Sequence, residues 1–529
     1  MIKSHLFWSI LLVTAFYLSL IIILPTTGDE GDSIQHYLIS RYSWVHPYLF
    51  FDHWGKPIFT ILSSPFSQFG FKGIQIFNLL NLVGTQFALY LIGFELKLKN
   101  PILPAVIFPF IPIVLLTTPS GLTEPLFAHI LIWTLYLLTR RNWVAAALLA
   151  STLPFVRSEG LVVLIVLFTY FAIVRQLAIS LLLGTGHLVL GWAGMKYYSG
   201  DFLWPITQIP YPAGGGFYGK GPWMHFIENL PKVTGILGTL LLTAGISGSI
   251  FRFTKSSSDP DRPYQWHILI TGSFLAVLFF HSYAWATGRF NSFGLLRVLT
   301  AVMPQAALLM ALGVELILSK LKVSKSDNIK LSWALAGVFL LLDLSIFPKN
   351  RSKIFEKNAI QLSIDQAIQE LDNLKTPYIK NLSLQACPYV YLKMDKDPFG
   401  PYAEPIHAIS EKNRRFPKGT IFLWDEYYAK SHYKISKDDI LNDPRLELIS
   451  DFYTQSSQGE KKQMILLKVR DEFATDYSAK NTQESLTAIV DKIEADSAWM
   501  VKIKKQAEYN AIGIDSCVRM NARYIIERP

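Results

Sequence analysis

The sequence predicts a polytopic α-helical membrane protein with a smaller soluble α/β or α+β domain at its C-terminal end, on three observations. The 529 residues are 51% hydrophobic and only 17% charged, with a mean hydropathy of +0.28, too apolar for a soluble enzyme of this length. Nearly all the long apolar runs fall in 1–348, whereas 349–529 has the composition of an ordinary soluble domain. Lysine and arginine concentrate in alternate loops between the apolar runs, the asymmetry that orients membrane spans. The formal charge of +10 therefore reads as topology, and no nucleic-acid partner is expected.

A span needs about 20 mainly apolar residues, and about eleven candidates meet that length. They lie near 5–24, 73–96, 101–117, 121–139, 142–156, 160–174, 176–198, 233–252, 265–286, 298–319 and 331–347. Pro154, Arg157 and Glu159 interrupt the fifth and sixth. The first run lacks a small-residue cleavage site, so it reads as an anchor and not as a signal peptide. With the N-terminus inside, the inner loops carry Lys97 and Lys99, Arg140 and Arg141, Arg175, Arg252 to Arg262, and Lys320 to Lys330. The same alternation puts the first outer loop (25–72), Glu124, Arg157, the 199–231 loop, Arg289 and Arg297 on the other side. An odd number of spans places the C-terminal domain there too. The location expected is the cell (inner) membrane, with a cytoplasmic N-terminus and an extracytoplasmic site.

In the C-terminal domain, Ile360, Ile364, Ile368 and Leu371 mark an amphipathic helix over 356–373. Thr420–Trp424, Leu446–Ser450 and Met464–Val469 read as strands, and the chain from about 484 as two helices. Cys387 and Cys517 leave one disulfide open and have no neighbours at zinc spacing. The sequon at Asn381 is of a frequency expected by chance.

The polar groups that could carry chemistry face one compartment. Asp29 and Glu30 follow the first run just past Pro25. A carboxylate beside apolar walls is favoured toward its neutral form and suits a general base for a hydroxyl. Neighbouring helical residues point about 100° apart, so one of the two reaches the reacting atom and the other supports it or holds the acceptor. The competing reading makes Asp29, Glu30 and Asp32 a solvated interfacial trio. In the next polar knot, Lys56 precedes Pro57 and suits a phosphate contact. Asp52 and His53 are open to ion binding, to orienting a base, or to capping and interfacial roles. Trp44, Trp54, Tyr42 and Tyr48 could stack on a sugar, but an interfacial aromatic belt is the favoured reading. Glu124 in TPSGLTEPLF and Arg157 and Glu159 in PFVRSEG are costly charges at the membrane edge, serving either as an ion pair or as substrate contacts. Arg297 in GLLRVLTAVMP could present its guanidinium to a lipid phosphate or snorkel. The 199–231 loop, rich in Gly, Pro and aromatics, reads as a mobile cover. Within it Gly214 to Lys220 matches the start of a phosphate-binding loop, but Gly221 and Pro222 follow, and a nucleotide site is rejected.

DEGDSIQHYLIS followed by HWGKPIFTILSSPFSQFG resembles the first outer loop of the GT-C superfamily of glycosyltransferases, in particular its protein O-mannosyltransferase and aminoarabinose-transferase branch. TEPLF, VRSEG and GLLRVLTAVMP are similar to later segments of that superfamily, so the resemblance covers 1–348. It implies a GT-C-like transmembrane catalytic domain over 1–348, under a soluble extracytoplasmic domain over 349–529. It further implies transfer of a sugar from a polyprenyl-phosphate-linked donor to a lipid, glycan or protein hydroxyl. Asp29 would be the base and Glu30 its support. Lys56 and Arg297 would meet the donor phosphate, with Glu124 and Arg157 donor-side or structural. Some relatives carry an acidic metal ligand where Gly55 stands, so no required metal or cofactor is predicted, though a divalent cation is left open. A flippase of lipid-linked glycans and a non-catalytic membrane scaffold are the rival readings.

Overall fold

The computed structural model describes residues 2–23, 27, 29, 31–209, 218–252, 265–320, 325–346, 356–373, 383–384, 387–399, 409–410, 415–417, 419–457, 459–475 and part of 489–518. Glu30, Asn381 and Gly214 to Phe217 lie outside the described residues. The chain divides into two compact units. The first is Met1–Gly28, Ile39–Leu190 and Ile209–Ile354; the second is Asp29–Leu38, Gly191–Gln208 and Phe355–Pro529.

The regular elements among the first unit's described residues are all helices, and the unit holds most of the apolar runs. Helical segments at His5–Ile23, Phe71–Glu95, Leu177–Tyr197, Gln265–Thr287 and Leu296–Ser319 are long and apolar enough to cross a membrane. Shorter apolar helices at Glu124–Thr139, Trp143–Phe155, Gly160–Ile173, Ile236–Ile250 and Trp333–Leu342 coincide with further expected spans. The expected span at 101–117 is different. It breaks into a helix Leu103–Ile107, a 3-10 turn Phe108–Phe110 and a helix Pro112–Thr117. Pro104, Pro109 and Pro112 withhold amide donors and prevent one continuous helix. The freed backbone is met by side chains: the Tyr17 hydroxyl, on α1 (Ile2–Ile23), donates to the Pro109 carbonyl at 2.5 Å.

Close helix packing rests on small residues. A Cβ added at Gly245 would lie 1.8 Å from the Leu309 carbonyl oxygen, and one at Gly313 would lie 2.2 Å from that of Leu241. The helices Ile236–Arg252 and Met303–Lys320 therefore meet backbone to backbone. Buried amides fix the segment that enters the helix at Glu124. Gln75 donates to the Pro119 carbonyl at 2.8 Å, and Asn78 donates to those of Ser120 and Leu122 at 2.7 and 3.0 Å.

The second unit contains a four-stranded sheet in the order β1-β3-β5-β4, where β1 is Ser383–Leu384, β3 Ile421–Asp425, β4 Leu446–Gln455 and β5 Lys461–Val469. β1 runs parallel to β3, and β5 runs antiparallel to β3 and β4. A second pair joins β2 (Phe416–Pro417) to β6 (Ala474–Thr475). All of β3 is buried, as the apolar run Ile421–Trp424 requires of a central strand. The helix Ala359–Asn373 buries Ile360, Ile364, Ala367 and Leu371 on one face, matching the expected amphipathic helix. All three expected strands form, extended by several residues at β4 and β5. Short helical turns between 489 and 504 gather Ile489, Ile493, Trp499 and Ile503 with Cys517 and Val518. Cys387 and Cys517 are both buried.

Candidate functional site

The centre of the first unit's polar chemistry is Arg157. The chain reaches it through the 3-10 turn Leu153–Phe155 and leaves into the helix Gly160–Ile173. Gly160 makes this tight return possible, since a Cβ there would stand 2.4 Å from the Leu153 carbonyl carbon. The guanidinium is largely buried. Its Nη1 lies 2.9 Å from Glu124 Oε1 and donates to the Thr123 hydroxyl at 3.0 Å. Its Nε donates to Glu159 Oε1. Glu124 and Glu159 thus both pair with one arginine. Burial works against an ionised Glu159, but Arg157, with His281, outweighs it and holds that carboxyl well below the usual range. His281 Nε2 stands 3.6 Å from the same oxygen.

Two further cations belong to the cluster. Arg297, in the 3-10 helix Leu296–Val302, brings its Nε to 3.8 Å from Glu124 Oε1. Lys56 donates through Nζ to the Ser158 hydroxyl at 3.3 Å, beside Arg157. Lys56 has φ of 63° at the N-cap of α3 (Pro57–Ser67), a conformation costly for a non-glycine residue and of the kind that clusters at functional sites. Burial and the neighbouring Arg157 push its ammonium down from 10.5 to about 8, with Glu159 and Asp52 pulling the other way. Burial raises the Asp52 carboxyl against the opposing pull of the Gly55 and Trp54 amides and Lys56. Asp52 Oδ1 accepts from the Gly55 amide at 2.7 Å, so the carboxylate closes the turn that presents Lys56. Gly55 itself is packed tightly, since a Cβ there would lie 2.5 Å from Ile39 Cγ2. An acidic side chain at this position would have to displace Ile39. Among the described residues, no group of three or more His, Cys, Asp and Glu could hold a metal.

Of the residues singled out from sequence, the structure brings together Lys56, Asp52, Glu124, Arg157 and Arg297. His53 is half-buried in the same turn as Asp52, and Trp54 is exposed. Trp44 and Tyr48 are exposed, as an aromatic belt would be. Asp29 lies in the second unit. There its Oδ1 accepts from the amides of Gly31 at 3.1 Å and Ser33 at 2.9 Å, capping α2 (Asp32–Tyr42). Sequence reasoning passed over Thr123, Ser158 and His281. The signal for His281 was present: a histidine within the apolar run VLFFHSYAW is a polar group a membrane protein keeps for a partner.

A helical unit with several apolar helices, in which Lys56, Arg157 and Arg297 gather with Asp52, Glu124 and Glu159, defines a polytopic membrane protein with a charged cluster. Its fold is shared with solved structures. The crystal structure of ArnT from Cupriavidus metallidurans bound to undecaprenyl phosphate matches over 90% of this chain and 100% of its own, with TM-score 0.56 and 10% identity. The apo structure of the same protein matches with TM-score 0.54, 11% identity and the same coverage. An Archaeoglobus fulgidus oligosaccharyltransferase structure covers 87% of this chain and 74% of its own at TM-score 0.49 and 13% identity. No family model matches the sequence, and neither does any curated protein. The expected likeness to GT-C glycosyltransferases thus holds at the level of the fold.

Proposed function

We propose that this chain is an inverting GT-C-type glycosyltransferase that moves a hexose or pentose from a polyprenyl-phosphate-linked donor to a hydroxyl of a lipid, glycan or protein. The observation that carries this reading is the convergence of Lys56, Arg157 and Arg297, from three distant segments, on Glu124 and its neighbours, in a fold shared with a protein solved with undecaprenyl phosphate. Asp29 takes the proton of the acceptor hydroxyl as its oxygen attacks the anomeric carbon. The bond from that carbon to the phosphate oxygen breaks, and the electron pair leaves with the lipid phosphate. That group passes from diester monoanion toward monoester dianion, so cations are needed where the charge grows. Lys56 and Arg297 take that role, while Arg157, held by two carboxylates, organises them. Glu30 supports the base or the acceptor, and Asp52, His53 and Trp54 shape the donor side. The bounds 1–348 and 349–529, about eleven spans, a cytoplasmic N-terminus and an extracytoplasmic site in the cell inner membrane complete the proposal.

Asp29→Asn tests it. Turnover should fall about 10²- to 10⁴-fold, the usual worth of a general base, while binding of undecaprenyl phosphate persists. A variant with undiminished turnover would refute the assignment, and a non-catalytic scaffold would be unaffected by the substitution.

A further inference from the structure

The Asp29 loop is built together with the C-terminal part of the chain: Asp29–Leu38 and Phe355–Pro529 belong to one compact unit. Within the loop, Asp29 Oδ1 accepts from the Gly31 and Ser33 amides. The Gly31 carbonyl in turn accepts from the amides of Ile34 at 3.1 Å and Gln35 at 2.9 Å. The carboxylate and the first turn of α2 are therefore one hydrogen-bonded knot with Gly31 at its middle. Tyr428 stands against that knot, because a Cβ built on Gly31 would lie 3.2 Å from its hydroxyl oxygen.

Tyr428 is firmly carried. Asp425, buried at the end of β3, accepts through Oδ1 from the amides of Tyr427 at 2.9 Å and Tyr428 at 2.6 Å. The next residue, Ala429, is buried in the core with Phe422, Trp424 and Ile435. The indole of Trp424 donates to the Ile435 carbonyl at 2.8 Å, and the Ile435 amide donates to that of Ala429 at 3.1 Å. The ring of Tyr427 meets that of Tyr428 edge-on at 4.9 Å. A tyrosine fixed this way sets a boundary to how the knot can lie.

We infer that Tyr428 is a positioning residue for Asp29, so that the C-terminal domain orients the proposed base through the Tyr428–Gly31 contact. The inference rests on the role proposed for Asp29. It gives the domain a part in turnover that does not require it to touch the donor phosphate.

The test is a pair of coupled substitutions in the full-length protein. Gly31→Ala adds a methyl that the Tyr428 hydroxyl must yield to by a few tenths of an ångström. Gly31→Ala should lower kcat about tenfold, as a small misplacement of a reacting group does, measured as undecaprenyl phosphate released from a membrane extract of polyprenyl-phosphate sugars. Direct binding of undecaprenyl phosphate should not change. Adding Tyr428→Phe, which removes the oxygen that the methyl meets, should restore most of the lost kcat. Full activity in Gly31→Ala, no recovery in the double variant, or a parallel loss of undecaprenyl phosphate binding would each overturn the inference. If Asp29→Asn is itself fully active, the underlying reading fails, whatever the Gly31 variants do.

Discussion

Raising the pH through the titration of Lys56 should weaken capture of the donor phosphate, and its surroundings set the size of the effect. Burial and Arg157 bring the ammonium from 10.5 to about 8. Its charged fraction then falls from about nine-tenths near pH 7 to about one-tenth near pH 9. The protonated form is the one that meets phosphate, so activity is present below about 8 and lost above it. For the donor, kcat/KM in the purified protein should therefore drop about tenfold across that interval; a lysine at its ordinary value would stay charged throughout. Stability moves the other way. The folded value lies below the unfolded one, so Lys56 disfavours folding at neutral pH and the penalty is relieved between about 8 and 10.5. Lys56→Arg keeps a positive charge at every pH used, so the basic limb should vanish even if the absolute rate falls. A level kcat/KM up to about pH 9, or a basic limb that survives in the arginine variant, would refute the reasoning.

Two further outcomes follow from packing and charge. Glu159→Gln removes one of the two carboxylates that hold Arg157 and should cost about 3 kcal/mol, the scale for breaking a buried pair, read as a lower thermal midpoint in detergent. Gly245→Leu would drive a side chain into the Leu309 carbonyl and should abolish the monodisperse folded species in size-exclusion chromatography. Gly337→Leu, where an added Cβ meets nothing within 4 Å, should leave that species intact.

Much of the fold was legible because a membrane imposes one demand that sequence records directly, a long apolar run for each crossing. The central strand Ile421–Asp425 was legible as a short continuous apolar run, and the helix Ala359–Asn373 as apolar residues at helical spacing. TEPLF and VRSEG were picked out as charges too costly to leave unpaired, GLLRVLT as a guanidinium open to a phosphate or to snorkelling, and those charges form the cluster. What stayed hidden depends on short-range geometry. Ser158 and Thr123 are ordinary hydroxyls until the Gly160 return brings them to Lys56 and Arg157. The capping of α2 by Asp29 was hidden as well, because an Asp five residues before the first apolar position, Ile34, is compatible with a cap and with a base. The break at 101–117 was in fact written in its prolines, but hydropathy averages over them.

That broken segment bears on how the protein is made. Leu103–Ile107 is buried along its whole length, and its contacts include the helices Met303–Lys320 and Lys325–Ile346, two hundred residues later in the chain. A stretch with interrupted backbone hydrogen bonding cannot rest in lipid alone, so it is not an independent insertion unit. It must be sheltered during synthesis, by the translocation machinery or by α1 through Tyr17, until those late helices arrive. Truncations that end before residue 303 should therefore leave this segment as the first target of membrane proteases.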